Sequence, residues 1–214
     1  MVEIVFFLHP SIEGKKGKNL YCINRLSLSF SNTVFFLKIT LRINDENANN
    51  IFVLSVDGTH CAIREPRLQP DRMWYSHKLN KPGLAYEIGL ELFESRVAWI
   101  NGPYKAGESD LTIFRKEDGL KSKLPAGKLL IADKGYNNEE QISTPNVFDS
   151  DELKNFKSKA RARHETFNGR IKEFRILSER FRSNSIELHQ TVFEAVCVLV
   201  QYSMENDRPL LSLL

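Results

Sequence analysis

The stretch that decides the fold lies at residues 51–58, where the sequence reads Ile-Phe-Val-Leu-Ser-Val-Asp-Gly. A short apolar run that ends in an acid and a glycine is typical of a buried strand. We therefore predict a strand over 51–57 with Asp57 at its carboxyl end. A second, brief strand is predicted over 61–63, which reads Cys-Ala-Ile.

The same pattern recurs at 128–133, Lys-Leu-Leu-Ile-Ala-Asp, and predicts another buried strand that ends at Asp133. The other predicted elements are strands over 84–93 and 96–100 joined by a tight turn, a helix from 109–110, a long helical region over 150–183 and an apolar helix over 186–204. Three antiparallel strands followed by a crossover into a strand beside the first give a mixed α/β sheet with helices on its faces. This is the element order of the ribonuclease H fold.

Asp57 and Asp133 are the first candidate site residues, because neighbouring parallel strands end at the same edge of a sheet. Two unpaired carboxylates held close together repel each other unless a cation joins them. Mg²⁺ prefers oxygen ligands. Two such ions ~4 Å apart can hold the attacking and the leaving oxygen of a phosphodiester.

Glu165 is the candidate for a third carboxylate, on a helix whose apolar stripe it avoids. The stripe consists of Phe167, Ile171, Phe174 and Phe181. Asp110, at the start of the helix after the third strand, is a fourth candidate. The joint placement of these acids favours a site for divalent metal ions.

Each acid also has a structural interpretation. An Asp before a glycine is often a turn or cap residue, which applies to Asp57 and Asp133. Asp110 is equally suited to capping its helix beside Ser109. Glu165 on a solvated helix face would pair with Arg161 one turn earlier.

Four motifs together resemble those of DDE transposases, and the Harbinger-type group is the closest match. They are Val56-Asp57-Gly58-Thr59-His60, Gly107-Glu-Ser-Asp110, Ile131-Ala-Asp133-Lys-Gly135-Tyr136, and Ala162-Arg-His-Glu165 with Arg170-Ile-Lys172. The resemblance covers residues 51–204 and implies a ribonuclease H-like catalytic domain that uses two Mg²⁺ or Mn²⁺ ions. Such a domain cuts DNA at transposon ends and joins the freed 3′-hydroxyl to target DNA.

Carried over to this sequence, Asp57 matches the first Asp of the triad and Glu165 matches the Glu. The Gly-x-x-Asp motif points to Asp110 as the second Asp, whereas the predicted topology points to Asp133. We favour Asp133 as the direct ligand and keep Asp110 as a fourth carboxylate. All four are therefore predicted as both catalytic and metal-binding.

Residues 1–50 show no helix-turn-helix pattern, which a full member of this family would carry before its catalytic domain. They are interpreted as an appendage or a truncated remnant, with a strand predicted over 34–43, and residues 205–214 as a tail. The leading hypothesis is a DNA endonuclease and strand-transfer domain from a truncated or domesticated transposase. The alternatives are a catalytically silent DNA-binding or partner-binding protein, and an unrelated phosphatase or small ribonuclease.

The charge distribution indicates a polyanionic partner. The chain has a formal charge of +3, but residues 151–182 hold ten Lys and Arg against five acids, a net +5. Such a cluster binds phosphates, unless it is a solvated helix face with self-compensating pairs. Residues 74–81 add aromatic and basic side chains, and Trp74 and Tyr75 are suited equally to stacking on an unpaired base and to packing in the core or at its rim. The predicted DNA-binding residues are His77, Lys78, Lys81, Arg161, Arg163, Arg170 and Lys172.

Three widely spaced cysteines predict no disulfide framework and favour a reducing compartment. No apolar stretch reaches the ~18 residues that cross a bilayer. We expect an intracellular protein, nuclear if its source is eukaryotic, without membrane contact. The expected partners are DNA, a separate DNA-binding protein and a second copy of the chain.

Overall fold

The structure is a computed structural model that describes residues 51–67 and 70–213. The appendage over 1–50 and its strand at 34–43 lie outside the described residues. The strands are β1 (Ile51–Ala62), β2 (Tyr75–Ser76), β3 (Lys81–Glu91), β4 (Val97–Lys105), β5 (Lys128–Ile131) and β6 (Ile142–Ser143). The α-helices are α1 (Asp110–Phe114), α2 (Asp151–Glu173), α3 (Arg175–Ser178) and α4 (Ile186–Asn206).

The strands form one mixed sheet in the order β4–β3–β1–β5–β6, and β2 pairs with the start of β3. β1 is antiparallel to β3 and parallel to β5, so the crossover returns the chain beside the first strand. The predicted α/β sheet flanked by helices is confirmed, and it is consistent with a ribonuclease H-like fold.

β1 corrects one prediction, because the two strands expected over 51–57 and 61–63 are a single strand that ends at Ala62. Its second half stays paired with β3, from Gly58 opposite Glu87 to Ala62 opposite Gly83. Its pairing with β5 stops earlier, at Ser55 opposite Ile131. β1 therefore runs past the end of its parallel neighbour, and Asp57 lies just beyond that point.

Serines cap the three main helices as their sequence positions predict. Ser109, Ser150 and Ser185 each accept a hydrogen bond from the backbone N–H three residues later. The long helix predicted over 150–183 is shorter, since Phe174 is extended and only the single turn of α3 follows. The chain then leaves helical geometry, and the Phe181 N–H donates to the Ala62 carbonyl at 2.8 Å.

The two faces of the sheet are buried by different elements. Cys61 packs with Phe167 of α2 on one face, whereas Val56 packs with Phe114 of α1 on the other. Because side chains alternate along a strand, Asp57 points to the α2 face, and position 58 faces α1. Among the described residues, no helix has the length and apolar character that a membrane crossing requires.

Candidate active site

Asp57 is partly buried on β1, and both of its carboxylate oxygens accept hydrogen bonds. The Gly58 N–H donates to Oδ1 at 2.8 Å, and the Asn168 amide of α2 donates to Oδ2 at 3.1 Å. The pKa of Asp57 is raised to about 6: burial is the largest cause, the charges of Asp110 and Asp133 act in the same direction, and Lys78 and the Gly58 N–H oppose the shift. Three carboxylates therefore act on one another at this point of the sheet.

Asp110 approaches the same point from the α1 face. Its carboxylate occupies the space that a side chain at position 58 would need, since a Cβ there would lie 2.2 Å from Asp110 Oδ1. The Lys78 ammonium donates to Asp110 Oδ2 and to the Gly58 carbonyl, both at 3.2 Å. The glycine in Val-Asp-Gly thus makes room for a second acid beside Asp57.

Asp133 follows β5 and caps a short 3-10 helix, with its Oδ1 accepting from the Gly135 N–H at 2.8 Å. A Cβ on Gly135 would lie 2.9 Å from Asp133 Oδ1 and 3.4 Å from Asp110 Oδ2. The capping interpretation is therefore correct for Asp133, and the cap also holds its carboxylate near Asp110. We call the space where β1 outruns β5, lined by Asp57, Asp110 and Asp133, the carboxylate notch.

Glu165 lies on the exposed side of α2, three residues before Asn168. Residues three apart lie on the same side of a helix, so Glu165 is one turn from the amide that contacts Asp57. The ion pair between Glu165 and Arg161, which the sequence also suggested, is not formed between these two described residues. The described part of the chain leaves Glu165 without an ion pair.

The carboxylate notch has the donor chemistry that a hard divalent cation prefers, since its side chains offer only oxygen. Among the described residues, no three His, Cys, Asp or Glu side chains are arranged to hold a metal ion. Each acid is bonded within the protein instead: Asp57 to Asn168, Asp110 to Lys78, and Asp133 to the Gly135 N–H. Burial is the main cause of the raised pKa of Asp57, and the nearby charges of Asp110 and Asp133 add to it.

The predicted DNA-binding residues divide into two groups. His77, Lys78, Lys81 and Arg161 are exposed. Arg163 is 2% exposed, and its guanidinium donates to the carbonyls of Glu91, Glu94 and Leu211. The expectation that Arg163 contacts DNA is wrong, because a buried guanidinium with three internal acceptors does not reach a phosphate.

Arg170 and Lys172 are also engaged within the fold. Arg170 donates to the carbonyls of Arg208 and Pro209, and Lys172 donates to the His60 carbonyl and to Cys61 Sγ. The net +5 of residues 151–182 therefore overstates the positive charge that this region presents to solvent.

Two polar residues of the site were not found from the sequence. Asn168 had a signal, since it follows Glu165 by one turn in the same motif. Glu87 was hidden in an apolar strand, where it is 1% exposed opposite Gly58 and accepts from the Trp99 indole N–H at 2.8 Å. Burial raises the pKa of Glu87 to about 7.

A family model described as DDE superfamily endonuclease matches residues 56–201, well over half of the chain. The matched range contains all four candidate carboxylates and Asn168. No match was found among curated proteins or among solved structures.

Proposed function

We propose that this chain, which belongs to the DDE superfamily endonuclease family, hydrolyses phosphodiester bonds in DNA with the help of divalent metal ions. The observation that carries the proposal is the convergence of Asp57, Asp110 and Asp133 at the carboxylate notch, where Asp57 contacts Asn168, a residue one helix turn from Glu165. Their mutual repulsion costs stability unless a cation neutralises it.

Asp57, Asp133 and Glu165 are the proposed metal ligands, and the proposed metal is a pair of Mg²⁺ or Mn²⁺ ions. Bound there, the ions would activate the attacking oxygen and stabilise the leaving oxygen. We favour Asp133 over Asp110 as the second ligand, because Asp110 enters from the opposite face and is paired with Lys78. Asp110 is then a fourth carboxylate that holds Lys78 in place.

The surrounding residues position the acids. The Asn168 amide and the Gly58 N–H fix both oxygens of Asp57, so that the carboxylate presents its remaining lone pairs in one orientation. The Gly135 N–H does the same for one oxygen of Asp133. The attacking group is water or a DNA 3′-hydroxyl, so no covalent protein–DNA intermediate is expected.

The finer parts of the proposal rest on the motifs. Their resemblance to the Harbinger-type group supports transposon ends and target DNA as substrates, and strand transfer as the second reaction. A separate DNA-binding protein is the proposed source of sequence recognition.

The test is cleavage of duplex DNA by the full chain with Mn²⁺ and with EDTA. Asp57→Ala, Asp133→Ala and Glu165→Ala should each abolish cutting, whereas Asp110→Ala should retain part of it. The matched control is Glu140→Ala, an exposed acid outside the notch. Equal cutting by the wild type and the three ligand variants would overturn the proposal.

A catalytically silent DNA-binding protein is the second candidate, and one observation favours it: Lys78 already neutralises Asp110 without a metal. Salt-dependent DNA binding by a chain that neither binds Mn²⁺ nor cuts DNA would establish this alternative.

A further inference from the structure

The segment from Tyr75 to Pro82, formed by β2 and the start of β3, connects the carboxylate notch to a second surface. Ser76 is fully buried, where its hydroxyl contacts His60 Nδ1 at 2.7 Å and accepts from the Leu79 N–H at 3.1 Å. These bonds fix the hairpin to β1. Its turn brings Lys78 to the notch, while Tyr75, His77 and Pro82 lie on another side of the hairpin.

An aromatic groove lies on that other side, with a volume of 720 Å³. Trp74 and Pro82 form part of its wall, and Tyr75 and His77 are its exposed rings. The two rings meet edge to face at 5.2 Å between centroids. Asp71, an acid in the lining, is neutralised by Lys105 at 2.6 Å. The other acid of the lining, Glu65, is matched in formal charge by Arg72 of the same lining, so the groove offers aromatic surface without a net negative charge.

A basic groove of 620 Å³ adjoins it and shares Glu65 and Pro82 with it. Its cations come from three segments: Arg64 and Arg67 after β1, Lys81 at the start of β3, and Arg180 after α3. The bond from the Phe181 N–H to Ala62 brings Arg180 to this place. Among described residues, none of the four cations forms an ion pair with an acid.

We propose that the aromatic and basic grooves together bind an unpaired segment of DNA next to the bond that the notch would cut. An unpaired base can lay its face on Tyr75 or His77, which a base inside a duplex cannot do. The four free cations of the basic groove then take the neighbouring phosphates. This inference rests on the proposed function and adds a substrate class to it.

The notch and the basic groove are close enough for a single DNA strand to contact both. Gly58 lies in the notch and Ala62 ends β1 at the basic groove, four residues apart, or about 13 Å along a strand. Lys78 lies at the notch and is carried by the same hairpin as Tyr75 and His77. A short extended oligonucleotide reaches both.

The experiment measures binding by fluorescence anisotropy in EDTA, with the full chain and three labelled DNAs. These are a blunt duplex, the same duplex with a five-nucleotide single-stranded overhang, and the same overhang built from abasic nucleotides. We expect the base-bearing overhang to bind about tenfold more tightly than the abasic one, since stacking on an aromatic ring has that magnitude. Equal affinities for the two overhangs would overturn the inference.

Variants separate the two grooves. Tyr75→Ala and His77→Ala should each reduce the preference for bases over abasic sites, while Tyr75→Phe should keep it. Arg64→Glu and Arg180→Glu should each lower the affinity of the chain for all three DNAs and reduce the salt dependence of binding. The matched controls are Tyr202→Ala, an exposed ring on α4, and Arg96→Glu, beyond the far end of β3 and roughly 30 Å from Lys81.

The outcomes distinguish this inference from the proposed function. If the chain cuts duplex DNA in a metal-dependent way but shows no preference for base-bearing overhangs, the proposed role of the grooves is refuted and the proposed nuclease function stands. If the chain clearly prefers those overhangs but shows no metal-dependent cutting, the proposed nuclease function is refuted and the proposed role of the grooves stands. A preference that survives Tyr75→Ala and His77→Ala together would also refute the assignment to the aromatic groove.

Discussion

The acids of the carboxylate notch and the bases of α2 are both charged groups that the sequence marks as functional, and they are held in opposite ways. Asp57 and Asp133 accept from backbone N–H groups within two residues, and their carboxylates keep unused lone pairs. Arg163 donates instead to carbonyls 48 to 72 residues away, and Lys172 donates to the His60 carbonyl, 112 residues away, as well as to the Leu177 carbonyl. Locally held acids remain available for a ligand, whereas cations that bond distant segments have become part of the fold.

Among the tests of this difference between the notch acids and the α2 bases, Asp57→Asn is expected to have the largest effect. Cleavage should fall by about a thousandfold, on the order of 4 kcal/mol of transition-state stabilisation. The free energy of unfolding at pH 7.5 should rise by about 1–2 kcal/mol, because the variant removes a carboxylate whose pKa is raised to about 6. Urea unfolding and cleavage assays check both, with Asp151→Asn as the exposed control. A destabilised variant would show that the charge of Asp57 supports the fold.

Arg163→Met tests the other side of the comparison. We expect the free energy of unfolding to fall by about 3 kcal/mol, since the carbonyls of Glu91, Glu94 and Leu211 lose a charged donor. DNA affinity, measured where the variant is folded, should stay the same. Arg161→Met, on the exposed side of α2, should have the reverse effect. Its free energy of unfolding should stay within about 0.5 kcal/mol of the wild type, and its DNA affinity should fall. Weaker DNA binding by folded Arg163→Met would restore the original expectation.

Glu87 lies beneath the notch and provides a pH test. Its pKa is raised from 4.5 to about 7, so the folded state holds the proton more tightly than the unfolded state does. The contribution of Glu87 to the free energy of unfolding is therefore fully present below about pH 4.5. It is lost as the pH rises through 7, and the total loss is about 3 kcal/mol. Glu87→Gln should remove that loss. The difference in unfolding free energy between the two proteins isolates Glu87 from the buried histidines, whose pKa values are lowered and whose contributions have the opposite slope. A difference that is constant from pH 4.5 to 8 would contradict the assignment.

The smallest effect is that of Lys78→Met on metal binding. A cation beside Asp110 competes with a second cation, so the variant should bind Mn²⁺ about fivefold more tightly, on the order of 1 kcal/mol. Isothermal titration calorimetry without DNA measures this. Lys154→Met, on the first turn of α2, should leave the affinity unchanged. Weaker binding by Lys78→Met would mean that the ammonium organises the site instead of competing for it.

Local signals predicted most of the fold, because caps and strand ends depend on neighbouring residues. Ser150 before Asp151 predicts the start of α2, and the apolar run before Asp133 predicts β5 to within two residues. The continuity of β1 through Gly58 could not be predicted in this way, since it depends on pairing with β3 across the hairpin.

The site was predictable to a similar extent. The four acids stood out by their positions at the ends of strands and on a helix. Asn168 follows Glu165 by one turn, but its bond to Asp57 joins residues 111 apart, so the local sequence does not indicate its partner. The burial of Arg163 is set by the segment around Leu211, which no periodicity in α2 reveals.

That last contact constrains the order in which the chain can fold during synthesis. The guanidiniums of Arg163 and Arg170 in α2 find their acceptors at Leu211 and Arg208, 48 and 38 residues later. A nascent chain that ends between residues 174 and 207 carries the complete sheet and α2, but Arg163 lacks one of its three acceptors and Arg170 lacks both of its acceptors. The domain is therefore expected to reach its native packing only after these residues have left the ribosome, and until then its apolar α2 face stays accessible to chaperones.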